Sequence, residues 1–205
     1  MTIIVCFLFH HTIRRTIKTE ERSVKNSDCS KYKFGGFKNM KTNFTEQDLQ
    51  FYPTPKSLLD RITDSLKWDK ITSVLEPSAG KGDIADYVKE KLNTPYTRYD
   101  IQIDCIEKDP ALRKMLEGKE YHVIHDDFLT YHGQYHYDLI ILNPPFNEGD
   151  KHLEKALDIQ KNGGNIICIL NAETIDNPCT NRRKALVQKL EKYQADISYY
   201  DDAFD

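Results

Sequence analysis

The chain has 205 residues, 39% hydrophobic and 30% charged, with a formal net charge of −3. That length holds one domain with an extension and a full core. Residues 1–39 carry eight Lys/Arg against three Asp/Glu, which leaves −8 on the remainder. An acidic body of this kind excludes a protein that coats nucleic acid nonspecifically; a polynucleotide would need a local basic patch or a partner.

Ile3 to Phe9 is apolar but far too short to span a bilayer, and its positive charges follow it, whereas a secretory signal has them in front. Ser23 to Asn39 is rich in Lys, Ser, Asn and Gly and reads as linker or disorder. Met40 then opens the patterned sequence. The expectation is a basic, disordered extension over 1–39 and a domain over 40–205, with Met40 as the natural start. The rival is a basic arm that helps to hold a polyanion. The five cysteines show no CxxC pair or other ligand spacing. Together these features predict a reducing cytosol, with no disulfide framework, no metal and no membrane partner.

From Phe51 the pattern is that of successive α/β units. Tyr52-Pro53-Thr54-Pro55 precedes Leu58, Leu59, Ile62 and Leu66, one face of a helix with Pro55 near its first turn. Ser73-Val74-Leu75 predicts a strand that enters the loop Glu76-Pro77-Ser78-Ala79-Gly80-Lys81-Gly82, and Ile84, Val88 and Leu92 predict the helix after it. Gly80 and Gly82 permit positive φ and close ligand approach at that turn. Gly80-x-Gly82-x-x-Ala85 also fits a dinucleotide fingerprint, a weak signal alone. A phosphate-binding P-loop is excluded, since Leu75 stands at its first Gly and Gly82 at its Ser/Thr.

A second strand over Ile101–Ile106 ends at Glu107, where an acidic residue can accept both hydroxyls of a ribose, in an NAD enzyme and an S-adenosylmethionine enzyme alike. A helix around Leu112 and Met115 leads to a third strand, Tyr121–Ile124, followed by Asp127-Phe128. Asp127 is placed to accept from an adenine amino group, with Phe128 against the ring. The fourth strand, Tyr137–Leu142, runs into Asn143-Pro144-Pro145-Phe146. The prolines fix φ in succession and bring no N–H donors, so a stiff bend presents an amide, a carbonyl and an aromatic face. Two acceptors suit an exocyclic amino group, and Phe146 could stack on its ring. Leu153, Ala156, Leu157 and Ile159 predict a helix, Asn165–Leu170 a fifth strand, Leu186 to Tyr193 a helix, and Ala195–Tyr200 a sixth strand.

These motifs, in this order over about Phe51 to Phe204, resemble the class I S-adenosylmethionine-dependent methyltransferases, specifically the amino-methylating group with the adenine-N6 type of Asn-Pro-Pro-Phe motif. The resemblance implies an α/β fold: a doubly wound, mainly parallel, Rossmann-like sheet. It implies S-adenosylmethionine as cofactor, with Thr54 and Pro55 near its methionine part. Glu76, Pro77, Ser78, Gly80 and Gly82 would line its cleft, Glu107 would hold the ribose, and Asp127 with Phe128 the adenine. Asn143 to Phe146 would be catalytic.

The implied function is methyl transfer to an exocyclic amino group, adenine N6 in DNA, in a phage or restriction-modification setting. The alternatives are an RNA or protein-glutamine methyltransferase, an NAD-dependent oxidoreductase, and a non-catalytic fragment. Members of the fold carry a seventh, antiparallel strand beside the sixth, which this chain ends too early to form after Tyr200. A target-recognition domain is also not visible, so sequence specificity is expected to come from a partner protein or short loops, or to be absent. Lys151, Lys155, Arg182 and Arg183 are the candidates for phosphate contact.

Overall fold

The computed structural model describes residues 3–9, 53–93, 101–133, 136–201 and 204, the first segment by its backbone alone. Tyr52, the segment 10–50 and Met40 lie outside the described residues. The strands are β1 (Ile3–Phe9), β2 (Ser73–Glu76), β3 (Gln102–Ile106), β4 (His122–His125), β5 (Leu139–Leu142), β6 (Asn165–Asn171) and β7 (Asp196–Tyr200). The helices are α1 (Lys56–Ile62), α2 (Asp83–Leu92), α3 (Pro110–Gly118), α4 (Gly149–Ile159), α5 (Glu173–Asp176) and α6 (Asn181–Lys192).

The strands form one sheet in the order β4-β3-β2-β5-β6-β1-β7. The five strands from β4 to β6 are parallel, as the apolar runs imply. Helices cover both faces of such a sheet, so its central strands are continuously hydrophobic rather than alternating. Leu139, Ile140, Ile141 and Leu142 of β5 are all fully buried. Leu75, Ile140, Leu142, Ile166 and Cys168 pack on one face with α4 and α6, while Val74, Leu139, Ile141, Ile167 and Ile169 pack on the other with α1 and α2.

β1 is the unexpected element. It lies antiparallel between β6 and β7, with Ile3 paired to Asn171 and Tyr200, and Phe7 paired to Ile167 and Asp196. The expectations of a vacant antiparallel position, and of residues 1–39 standing wholly apart from the domain, are therefore corrected for Ile3–Phe9. A short apolar run cannot satisfy its backbone alone; between two strands every N–H and C=O can find a ladder partner. Within the described sheet, β7 reaches the parallel strands through β1.

The sheet reverses its order at β2, which pairs with β3 on one side and β5 on the other. In open α/β sheets the crevice outside the carboxyl ends of such strands is where ligands bind. Asp138, just before β5, holds that junction in register. Its Oδ2 accepts from the Thr72 and Ser73 amides and from both hydroxyls at 2.8–3.2 Å. Burial opposes ionisation there, yet these four donors hold the carboxyl below its ordinary range.

Candidate active site

The carboxyl ends of β2, β3, β4 and β5 release Glu76, Glu107, Asp127 and Asn143 on one edge of the sheet. The loop after β2 is bound to its neighbour by two bonds: the Ala79 amide donates to the Ile106 carbonyl at 3.0 Å, and the Gly80 amide to Glu107 Oε2 at 2.7 Å. Glu107 Oε1 accepts from the Asp109 amide at 2.8 Å. One carboxylate thus ties the glycine loop to the turn that begins α3, and each of its oxygens retains a further lone pair.

Gly80 and Gly82 hold φ at +55° and +87°, as the turn requires. A Cβ on Gly82 would lie 2.9 Å from Leu116 Cδ2. Gly82→Ala is expected to lower stability by roughly 1–3 kcal/mol, from left-handed backbone plus crowding, read as a shifted urea midpoint.

Glu76 is buried, and among the described residues its Oε2 finds no hydrogen-bond partner. Burial drives its carboxyl well above the ordinary range, the Ala85 amide opposes this, and Asp83, Asp86 and Glu107 add to it. Because the folded value is raised, stability is full below the unfolded carboxylate range and falls as pH rises toward the folded value. Glu76→Gln should flatten that fall: the mutant-minus-wild-type thermal midpoint is expected to grow more positive from about pH 4 upward. A constant difference across that range would remove Glu76 as the cause.

Asp127 Oδ1 accepts from the Leu129 amide at 2.9 Å, capping the turn Phe128–Thr130, and Oδ2 lies 3.3 Å from Lys108 Nζ. Burial opposes ionisation, but the Leu129 amide and the Lys108 ammonium keep its carboxyl below the usual range. Phe128 follows Asp127 in the turn. Its ring is 2% exposed and packs in the core, tilted against His152 with centroids 5.7 Å apart. Asp127 and Phe128 thus stand together at the start of the turn after β4, the carboxylate as its cap and the ring in the core. Burial in turn holds the His152 imidazole below its ordinary value. Neither Lys108 nor His152 carried a motif signal.

The turn after β5 is built as the prolines imply. The Glu148 amide donates to the Pro145 carbonyl at 2.9 Å, so the bend leads directly into α4. Gly149 opens that helix where a Cβ would fall 2.6 Å from Leu170 Cδ2 and 3.8 Å from Pro144 Cγ. Among the described residues no hydrogen bond reaches the Pro144 carbonyl. Asn143 Nδ2 donates to Thr54 Oγ1 at 3.1 Å, across 89 positions of sequence. Phe146 is half-buried and meets Phe204 edge-to-face, with centroids 6.3 Å apart.

Pro55 begins α1 beside Thr54, Pro77 is buried under the glycine loop, and Ser78 is half-buried. Three of the four basic candidates have acidic neighbours: Lys151 with Glu148 at 2.9 Å, Arg183 with Asp150 at 3.8 Å and Arg182 with Glu154 at 3.9 Å. No helix among the described residues is long and apolar enough to cross a membrane.

The arrangement sets three carboxylates at the reversal of a parallel sheet, with a backbone-rich glycine turn and the Asn143-Pro144 turn beside them. Ribose hydroxyls and a cationic ligand would fit these acceptors: Glu107 has lone pairs left for the first, and Glu76 lies among the carboxylates Asp83, Asp86 and Glu107, which would favour the second.

Comparison with known proteins agrees. The family described as Methyltransferase small domain matches residues 55–195. A curated relative, the type II methyltransferase M.CvrRI of Paramecium bursaria Chlorella virus XZ-6E, is 31% identical over 121 residues. That match takes in 57% of this chain and only 29% of the relative, so the chain spans under a third of its length. Among solved structures, StiE O-MT residues 942-1257 is 12% identical at a TM-score of 0.49, covering 66% of this chain and 48% of that one. Coclaurine N-methyltransferase bound to N-methylheliamine and SAH is 17% identical at a TM-score of 0.36, covering 42% and 25%. With more than half of its length matched, and with the sheet order and edge described above, this chain belongs to the methyltransferase small domain family, within the class I S-adenosylmethionine-dependent methyltransferases.

Proposed function

We propose that the protein transfers a methyl group to an exocyclic amino group, adenine N6 in DNA. The observation that carries this reading is the turn Asn143-Pro144-Pro145-Phe146 at the end of β5, with the Pro144 carbonyl unengaged next to the Asn143 amide. Bound S-adenosylmethionine supplies an electrophilic methyl group on a sulfonium. The amine that attacks it is weak, because its lone pair is delocalised into the ring. Asn143 Oδ1 and the Pro144 carbonyl would accept its two N–H bonds and draw the nitrogen toward tetrahedral geometry, freeing the lone pair for in-line attack. The methylated intermediate carries the positive charge and is itself acidic, so it sheds its proton to solvent and no strong general base is needed; alignment and preorganised acceptors carry the rate. Phe146 would hold the extruded base by stacking. Glu107 would take the ribose, Asp127 the adenine amino group, and Glu76, Pro77, Ser78, Gly80 and Gly82 the rest of the cofactor cleft.

The fourth motif residue, Phe146 rather than Tyr, and the front position of the sequence Tyr52 to Pro55 favour DNA over RNA or a protein amide, and the viral relative is named a type II methyltransferase. Because Lys151, Arg182 and Arg183 sit beside acidic groups, sequence recognition is assigned to a partner protein. The test is incubation with labelled S-adenosylmethionine and, in parallel, DNA, RNA and a protein extract. Label recovered as N6-methyladenine from DNA supports the reading; label confined to RNA or protein moves the substrate, and label in none removes the activity.

A further inference from the structure

An amide side chain can grip an amine with only one of its two ends. If Asn143 were rotated by half a turn about its last bond, it would set two N–H donors against the N–H donors of the target. Something must therefore choose between orientations that differ little in shape. Asn143 Nδ2 donates to Thr54 Oγ1, at 3.1 Å. Thr54 is 8% exposed and stands between two prolines. Pro53 and Pro55 fix their own φ, and Pro55 confines Thr54 to extended backbone, so its hydroxyl has little freedom to follow a moving partner.

Its position is referred to the core through α1. The Pro55 carbonyl accepts from the Leu58 and Leu59 amides at 3.0 and 3.1 Å. Leu58, Leu59 and Ile62 are buried, and Thr63 Oγ1 meets Tyr87 OH of α2 at 2.8 Å. The chain before α1 thereby holds a fixed polar atom against the end of β5, a strand with which it shares no backbone ladder.

We propose that Thr54 is a positioning residue for methyl transfer: its hydroxyl accepts from Asn143 Nδ2 and so turns Oδ1 toward the incoming amine. The proposal rests on the reading of Asn143 above. It departs from the expectation that Thr54 serves the methionine part of the cofactor, because a hydroxyl engaged with Asn143 acts on the rate of transfer and not on cofactor affinity.

The test compares Thr54→Val, Thr54→Ala and Thr54→Ser, each alone and in an Asn143→Ala background. Cofactor affinity is measured by calorimetry and transfer at saturating cofactor and DNA. Loss of one neutral hydrogen bond that orients a reacting group is worth roughly five- to tenfold in rate. Thr54→Val and Thr54→Ala should each show it with cofactor affinity unchanged, Thr54→Ser should restore the rate, and in the Asn143→Ala background neither Thr54→Val nor Thr54→Ala should lower the rate further. A readout independent of turnover is the Asn143 side-chain NH2 pair by nitrogen-15 NMR. It should exchange slowly with solvent in wild type and Thr54→Ser, and faster in Thr54→Val. Weakened cofactor binding with an unchanged saturated rate would overturn the proposal, as would an equal loss in both backgrounds. Full activity of Asn143→Ala would remove the reading of Asn143 itself, and the proposal with it.

Discussion

Asn143→Ala is expected to leave S-adenosylmethionine affinity nearly intact while cutting methyl transfer by about a hundredfold or more, the usual cost of losing one preorganised transition-state partner. The residue lies beyond the last pair of the β5–β6 ladder, and its Nδ2 is engaged with Thr54, so truncation should leave the strand standing. The remaining acceptor, the Pro144 carbonyl, cannot polarise both N–H bonds. A kcat that falls while the cofactor Kd and the thermal midpoint stay put is the expected signature. Full transfer by the variant, in a preparation whose wild type is active, would make the Pro-Pro turn only a turn.

Glu107→Ala should weaken S-adenosylmethionine by roughly 1.5–3 kcal/mol, or about ten- to a hundredfold, through loss of a charged hydrogen-bond acceptor. The structure adds a second contribution to that effect. Glu107 also receives the Gly80 and Asp109 amides, so its removal frees the glycine loop that a ligand must approach. Glu107→Gln separates the two roles. It keeps one oxygen as acceptor but loses the charge, and is expected to fall between wild type and alanine in affinity. Calorimetry with thermal melts decides: a lowered midpoint with unchanged affinity would show that Glu107 only joins two loops.

The six strands from β2 to β7 were legible because the central ones, covered on both faces, read as apolar runs, and the outer ones keep a short β-branched or aromatic stretch between turn signals. Leu139–Leu142 and Ile166–Leu170 are such runs. So are the helices whose buried faces repeat at three and four residues, among them Leu58, Leu59 and Ile62. α5 was not read, since Glu173–Asp176 is too short to show a period. Within α3 the fully buried position is Leu116, whereas Met115 is 45% exposed: a short helix fixes its face by what it packs on, and one residue of rotation changes it.

The sequence by itself determined the order of α/β units and the residues at the strand ends, since each depends on chemistry within a few positions: a Gly-rich turn, an acid after a strand, two prolines after an asparagine. Only the tertiary structure decided what those residues touch. Ile3–Phe9 became an interior strand because β6 and β7 offered it two ladders, from partners more than 150 positions away. Phe128 packs in the core against His152 of α4, and Arg182 and Arg183 were matched by acids on α4. Thr54 reached Asn143 because packing of α1 on α2, not proximity in the chain, sets which side chain meets the end of β5.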